Sequence, residues 1–133
     1  MDWNPMVPEL LVSNFRRSLD FYVQQVGFSV MFERTEPNFA YLDLNGAQLM
    51  LEEDHEGSWQ VGEMSSPRGR GINLQIDVPD MKVVEKRFES SAVPLFRPLH
   101  ESWYETSEGP VGQLELLVQD PDGYLLRLVS DIA

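Results

Sequence analysis

One order of elements occurs twice along this chain, and that repetition constrains the fold more than any single motif. Residues 7–12 (Val-Pro-Glu-Leu-Leu-Val) read as a short strand. Ser13 and Asn14 are helix-capping residues, and Phe15, Leu19, Tyr22, Val23 and Val26 follow at helical spacing until Gly27 ends the run. Residues 28–34 are β-rich, and Phe39–Leu44 and Ala47–Glu52 flank Asn45-Gly46, a strong hairpin signal. The order is β-α-β-β-β. It begins again with a strand at Ile72–Val78 and a helix opened by Pro79-Asp80, with Val84 and Phe88 on its apolar side. A strand over 93–97 follows, then Leu114–Gln119 and Tyr124–Val129 around the turn Asp120-Pro121-Asp122-Gly123.

The halves superimpose at an offset of 66 at their helix starts (Val12 on Val78) and of 77 at their last turns (Gly46 on Gly123). Such a module covers one face of its sheet with its helix and leaves the other open. The expected fold is therefore α+β: two βαβββ modules whose sheets curve around a shared cleft, in one domain spanning 1–133. Module one covers about 5–53, a linking loop about 54–70, and module two about 71–133.

Strand alternation assigns the faces. Leu10, Val12, Leu49, Leu51, Leu74, Ile76 and Val78 are apolar and belong under the helices. The alternate set is Val7, Glu9, Leu11, Gln48, Met50, Glu52, Asn73, Gln75 and Asp77, with Glu115 on a neighbouring strand. A core face would not carry so many carboxylates, so this set lines an open cleft of negative sign, with Arg127 neutralising one acid. Trp59 lies in the loop 54–70 and Trp103-Tyr104 in a second loop, 98–112; exposed aromatics on loops suit flat ligands. Phe32, Phe39 and Tyr41 add surface, though the same rings could equally cover the core.

Charge and composition narrow the partners. Ten Lys and Arg against 22 Asp and Glu give a net charge of −12, which repels nucleic acid and anionic lipid and attracts cations; acidity of this size also serves plain solubility. No apolar stretch is long enough for a membrane helix, and the opening Met1-Asp2-Trp3-Asn4-Pro5 has no leader pattern. The chain has no cysteine, which removes disulfides, thiolate metal sites and cysteine nucleophiles and fits a cytoplasmic location. His55, within Glu52-Glu53-Asp54-His55-Glu56, reads as part of a solvated acidic loop, and His100 as a surface side chain. Asp120–Gly123 lacks the remaining acids of a calcium loop, and Gly69-Arg70-Gly71 lacks the lysine of a phosphate loop.

Three segments carry a family resemblance. Leu10-Leu-Val-Ser-Asn-Phe-Arg-Arg-Ser-Leu-Asp-Phe-Tyr22 with Gly27-Phe28 resembles the opening of vicinal-oxygen-chelate proteins. Ile76-Asp-Val-Pro-Asp-Met81 resembles the start of their second module, and Leu114–Leu128 their closing hairpin. The superfamily includes glyoxalase I, extradiol dioxygenases, methylmalonyl-CoA epimerase, and the fosfomycin and bleomycin resistance proteins, so the fold alone does not define function. The resemblance implies divalent-metal ligands at Val7, Met50, Asn73 and Arg127. Those side chains cannot make such a site, so neither metal nor other cofactor is expected, and no catalytic residue is assigned.

The resemblance is nearest to the metal-free bleomycin resistance proteins, which sequester a flat cationic drug in clefts of a homodimer. It implies a small cationic or aromatic ligand held by Phe32, Phe39, Tyr41, Trp59, Asn73, Gln75, Trp103, Glu115 and Arg127. Trp103 and Glu115 match a tryptophan and an acid of those proteins, although Tyr104–Gly112 is inserted between them. The alternative is a lyase or oxidoreductase of glyoxalase or dioxygenase type with an atypical site.

Overall fold

The computed structural model describes residues 2–132. The chain forms two compact units, Met1–Arg68 and Gly69–Ala133. In the first, strand β1 (Glu9–Val12) leads to helix α1 (Phe15–Asp20), then β2 (Ser29–Arg34), β3 (Phe39–Leu44) and β4 (Ala47–Glu53). In the second, β5 (Asn73–Asp77) leads to α2 (Met81–Ser90), then β6 (Leu95–Thr106), β7 (Gly109–Gln119) and β8 (Leu125–Asp131). Each unit is a four-stranded mixed sheet, ordered β1-β4-β3-β2 in one and β5-β8-β7-β6 in the other. The architecture is α+β with a βαβββ order in both halves.

Register supports the internal repeat independently of motif. In each unit the first strand runs parallel to the last; Glu9 faces Met50 in one and Gln75 faces Arg127 in the other. Those pairs are related by the offsets of 66 and 77 read from the sequence.

Local chemistry explains the elements. Asn14 caps α1 by accepting from the Arg17 amide at 3.1 Å, and Asp80 caps α2 by accepting from Val83 at 3.3 Å. Glu53, at the end of β4, accepts from the Phe15 amide at 2.8 Å and ties the helix start to the sheet. Asn45 and Gly46, at φ 50° and 96°, form the tight β3–β4 turn that their sequence predicts. Asp120 stabilises the β7–β8 turn by accepting from the amides of Asp122 and Tyr124, a structural use of that motif. The helix-facing side chains are buried: Leu42, Leu49 and Leu51 in the first unit, and Leu116, Leu126 and Leu128 in the second. Among the described residues no helix is long and apolar enough to cross a membrane.

Four local expectations are corrected. The strand expected from residue 7 starts at Glu9, because Pro8 has no N–H to give a ladder; its carbonyl still accepts from Met50. The single helix expected through Val26 is α-helical only to Asp20 and continues as a π-helical turn over Phe21–Val26. The wider turn lets Phe21 and Tyr22, consecutive in sequence, both enter the core, with ring centroids 5.3 Å apart.

The expected loop over 98–112 is instead a long ribbon of β6 and β7 joined by a tight turn. Pro98 and Pro110 concealed it. Pro98 lies on the edge strand where the register shifts, and Pro110 lies beyond Gln113, past the last residue that β8 pairs with. A missing N–H costs little at either place. Finally, His100 is a strand residue with a side chain only 16% exposed, so it is not a surface histidine.

Candidate functional site

The open face of the second sheet is built around one buried carboxylate. Glu115, on β7, pairs with His100 on β6, and alternation brings Ser102, Tyr104, Gln113 and Arg127 to the same face. Its oxygens accept from Tyr104 Oη at 2.6 Å, Gln113 Nε2 at 2.7 Å and Ser102 Oγ at 3.1 Å. His100 Nε2 lies 3.3 Å and Arg127 Nη1 3.6 Å away.

Glu115 is 2% exposed, and that burial alone would raise its pKa. The hydrogen bonds from Tyr104, Gln113, Ser102 and His100 outweigh burial and hold it at about 2. A carboxylate so fully engaged acts by fixing its neighbours: it orients the Tyr104 hydroxyl and anchors Arg127.

Arg127 matters for a second reason, because it occupies one of the four positions where metal-holding relatives of this fold are expected to place ligands. Val7 stands half-buried before β1, Met50 half-buried on β4, and Asn73 exposed at the start of β5. Only Asn73 offers a hard oxygen donor, and Arg127 brings a positive charge. These residues do not fit a divalent ion. Among the described residues no group of three or more His, Cys, Asp or Glu side chains is placed to hold one. His55 accepts from the Gly57 amide through Nδ1, which leaves Nε2 to donate to Glu52 at 3.1 Å.

Trp103 does not join Glu115. It alternates to the opposite face of the ribbon, directly across from Gly112. The indole lies against that glycine so closely that a Cβ there would meet it at 2.7 Å. Its Nε1 donates to Glu101 at 3.1 Å, and Glu101 and Glu105 flank it on the same face. The ring is 61% exposed yet held at its edge and beneath its face. Trp59, in the linking loop, is 89% exposed, and Asn73 and Gln75 are exposed on the open side of β5.

The open face of the first sheet is differently arranged. Phe32 and Tyr41 stack at 5.5 Å, Phe39 follows at 5.8 Å from Phe32, and the Arg34 guanidinium lies 4.0 Å over Phe39. Phe39 and Tyr41 are buried: Phe32 and the Arg34 guanidinium lie against Phe39, and Trp3 packs in T-shaped fashion against Tyr41 at 4.8 Å and Phe32 at 5.8 Å. Glu9, on the same face, has a pKa raised by burial and by the neighbouring Glu52, with Arg34 opposing.

Within the second unit Glu115 and Arg127 share the open face with Asn73 and Gln75, while Trp103 lies on the other face of the ribbon; within the first, Phe32, Phe39 and Tyr41 form one platform and Trp59 lies in the linking loop. Sequence reasoning placed Gln48 on the open strand face and Tyr104 in an aromatic loop without assigning either a ligand contact, and gave Trp3 no role. For Tyr104 the period-two spacing from His100 was the available signal; for Trp3 no local signal existed.

No family model matches the chain. Among curated proteins it is similar to a lactoylglutathione lyase of Pseudomonas putida, 26% identical over 91% of this chain and 81% of that one. Among solved structures, a glyoxalase/bleomycin resistance protein/dioxygenase superfamily member from Vibrio splendidus 12B01 is 35% identical, covering 94% of this chain and 97% of the other. That pair superposes only to a TM-score of 0.43, so the kinship there is one of sequence.

Fold similarity comes from more distant proteins. TioX of Micromonospora sp. ML1 gives a TM-score of 0.70 at 19% identity, covering 98% of this chain and all of that one. A fosfomycin resistance protein of Listeria monocytogenes gives 0.64 at 14%, covering 99% of this chain and 94% of the other. The chain belongs to the glyoxalase/bleomycin resistance/dioxygenase superfamily, the vicinal-oxygen-chelate proteins. Within it, resistance proteins are among its structural neighbours.

Proposed function

We propose that this protein binds and sequesters a small flat, cationic or aromatic antibiotic of bleomycin type, as a homodimer, with neither metal nor chemistry. The observation that carries the reading is Trp103: an exposed indole, seated on Gly112 and tethered to Glu101, with Glu101 and Glu105 beside it. An aromatic face rimmed by carboxylates attracts a flat cation by stacking and by charge. The net charge of −12 adds long-range attraction of the same sign. The donor chemistry at Val7, Met50, Asn73 and Arg127 gives no support to the lyase or oxidoreductase alternative of the same fold.

The test is calorimetric titration with metal-free bleomycin at low and high salt. Binding in the micromolar range or tighter, weakening as salt rises, is the expected result. Absence of heat at both salt concentrations with folded protein in the cell would refute the reading.

A further inference from the structure

The aromatic platform of the first sheet already holds a ring, and the ring belongs to the chain itself. Trp3 stands edge-on to Tyr41 and Phe32, while the backbone on either side of it is bound by one side chain, Gln48. Gln48 Oε1 accepts from the Asn4 amide at 2.9 Å, and its Nε2 donates to the Asp2 carbonyl at 2.8 Å. The amide has no freedom to turn over. Tyr41 Oη donates to Oε1 at 2.6 Å, and Asp43 Oδ1 accepts from Nε2 at 3.0 Å. Asp43 can only accept while ionised, so the NH2 group must face it. The remaining acceptor and donor of Gln48 then present a fixed complement to one carbonyl and one N–H that bracket an aromatic residue.

Gln48 is 9% exposed, and Tyr41, which locks it, is 4% exposed. Trp3 is 56% exposed. The recognising groups are therefore preorganised parts of the sheet, whereas the segment they hold lies at the surface. Beyond this bracket, the segment's described side-chain tie is Asn4 Nδ2 donating to the Gly46 carbonyl.

We infer that the open face of the first sheet is a binding site for a peptide-like ligand carrying a flat aromatic ring between two amides, and that Asp2-Trp3-Asn4 is its resident internal mimic. The ring goes on Tyr41 and Phe32; Gln48 reads the flanking amides. The proposal rests on the Trp3–Gln48 geometry and does not depend on the sequestration reading. An external ligand must displace the resident segment, so its apparent affinity is reduced by the fraction of molecules in which that segment is released.

The probe is acetyl-Asp-Trp-Asn-amide, titrated into wild-type protein and Trp3→Ala while amide and Gln side-chain NMR signals are followed. Trp3→Ala should bind it at least about tenfold more tightly than wild type. Shifts should centre on Gln48, Tyr41 and Phe32. The same peptide with alanine in place of tryptophan should bind Trp3→Ala at least about tenfold more weakly, the scale of losing a hot-spot aromatic. Adding Gln48→Ala to Trp3→Ala should remove the gain, and the wild-type-like spectrum of the remaining sheet checks that the double variant is folded. If the double variant unfolds, the Gln48 side-chain shifts in Trp3→Ala alone decide the point. Equal affinity in wild type and Trp3→Ala, no saturation of Trp3→Ala at millimolar peptide, or shifts confined to residues 101–112 would overturn the inference.

Discussion

Replacing Glu115 by glutamine tests the reading of the second sheet most directly. The displacement of its pKa from 4.5 to about 2 corresponds to about 3 kcal/mol in favour of the ionised form, at about 1.36 kcal/mol per pH unit. Glutamine keeps one acceptor oxygen, which can serve Ser102 and His100. Its NH2 group, however, faces Tyr104 and Gln113, where the native oxygen accepts at 2.6 and 2.7 Å. The Tyr104 hydroxyl can rotate to accept and the Gln113 amide can turn its oxygen inward, so what the substitution removes is the charge on the acceptor. Hydrogen bonds to a charged acceptor are roughly twice as strong as those to a neutral one.

The expected loss for Glu115→Gln is therefore about 3 kcal/mol at neutral pH, read by urea unfolding as a midpoint lower by about 2 M at an m-value of about 1.5 kcal/mol/M. The folded pKa lies below the unfolded one, so the stabilisation is fully present above about pH 4.5 and is lost as pH falls through about 2. The gap between wild type and variant should close across that window. A gap below about 0.5 kcal/mol at neutral pH, or one unchanged down to about pH 3, would refute the argument that these hydrogen bonds hold the carboxylate ionised.

Other outcomes follow from the same geometry. Gly112→Ala has no positive φ to oppose it, but its Cβ would strike the Trp103 indole; drug affinity should fall about tenfold with little change in thermal stability, read by calorimetry and circular dichroism. Trp103→Ala should lose roughly ten- to hundredfold in affinity, and an unchanged Kd would remove the ribbon from the site. Elemental analysis of purified protein should find well under one divalent ion per chain, as the side chains at Val7, Met50, Asn73 and Arg127 require; stoichiometric Ni, Zn, Fe or Mn would contradict it. Light scattering at micromolar concentration should report a homodimer, and a monomer would count against shared drug clefts. Asp80→Ala, which removes the cap of α2, should cost about 1 kcal/mol in unfolding experiments.

Much of this architecture is legible in the sequence. Turn chemistry at Asn45-Gly46 and Asp120–Gly123, caps at Asn14 and Asp80, and alternation along β1, β4 and β5 are local rules that act within a few residues, so they survive without knowledge of the whole. The mismatch between metal chemistry and Val7, Met50, Asn73 and Arg127 is equally local once the repeat aligns the halves. The ribbon was hidden because prolines argue against strands only where a ladder needs their N–H, and Pro98 and Pro110 lie where it does not.

Tertiary structure decided what the site residues do. Glu115 looked like an acid awaiting a cation, yet strand register brings it His100, Ser102 and Tyr104 from β6 and Arg127 from β8, and it becomes a positioning carboxylate. The same register turns Trp103 to the opposite face. Trp3 crosses to Tyr41, 38 positions along the chain, through a bracket set by Gln48 on the neighbouring strand. Periodicity states which residues share a face of one strand. Which donors meet which acceptors depends on how strands distant in sequence are paired, and that is fixed by the packing of the whole sheet.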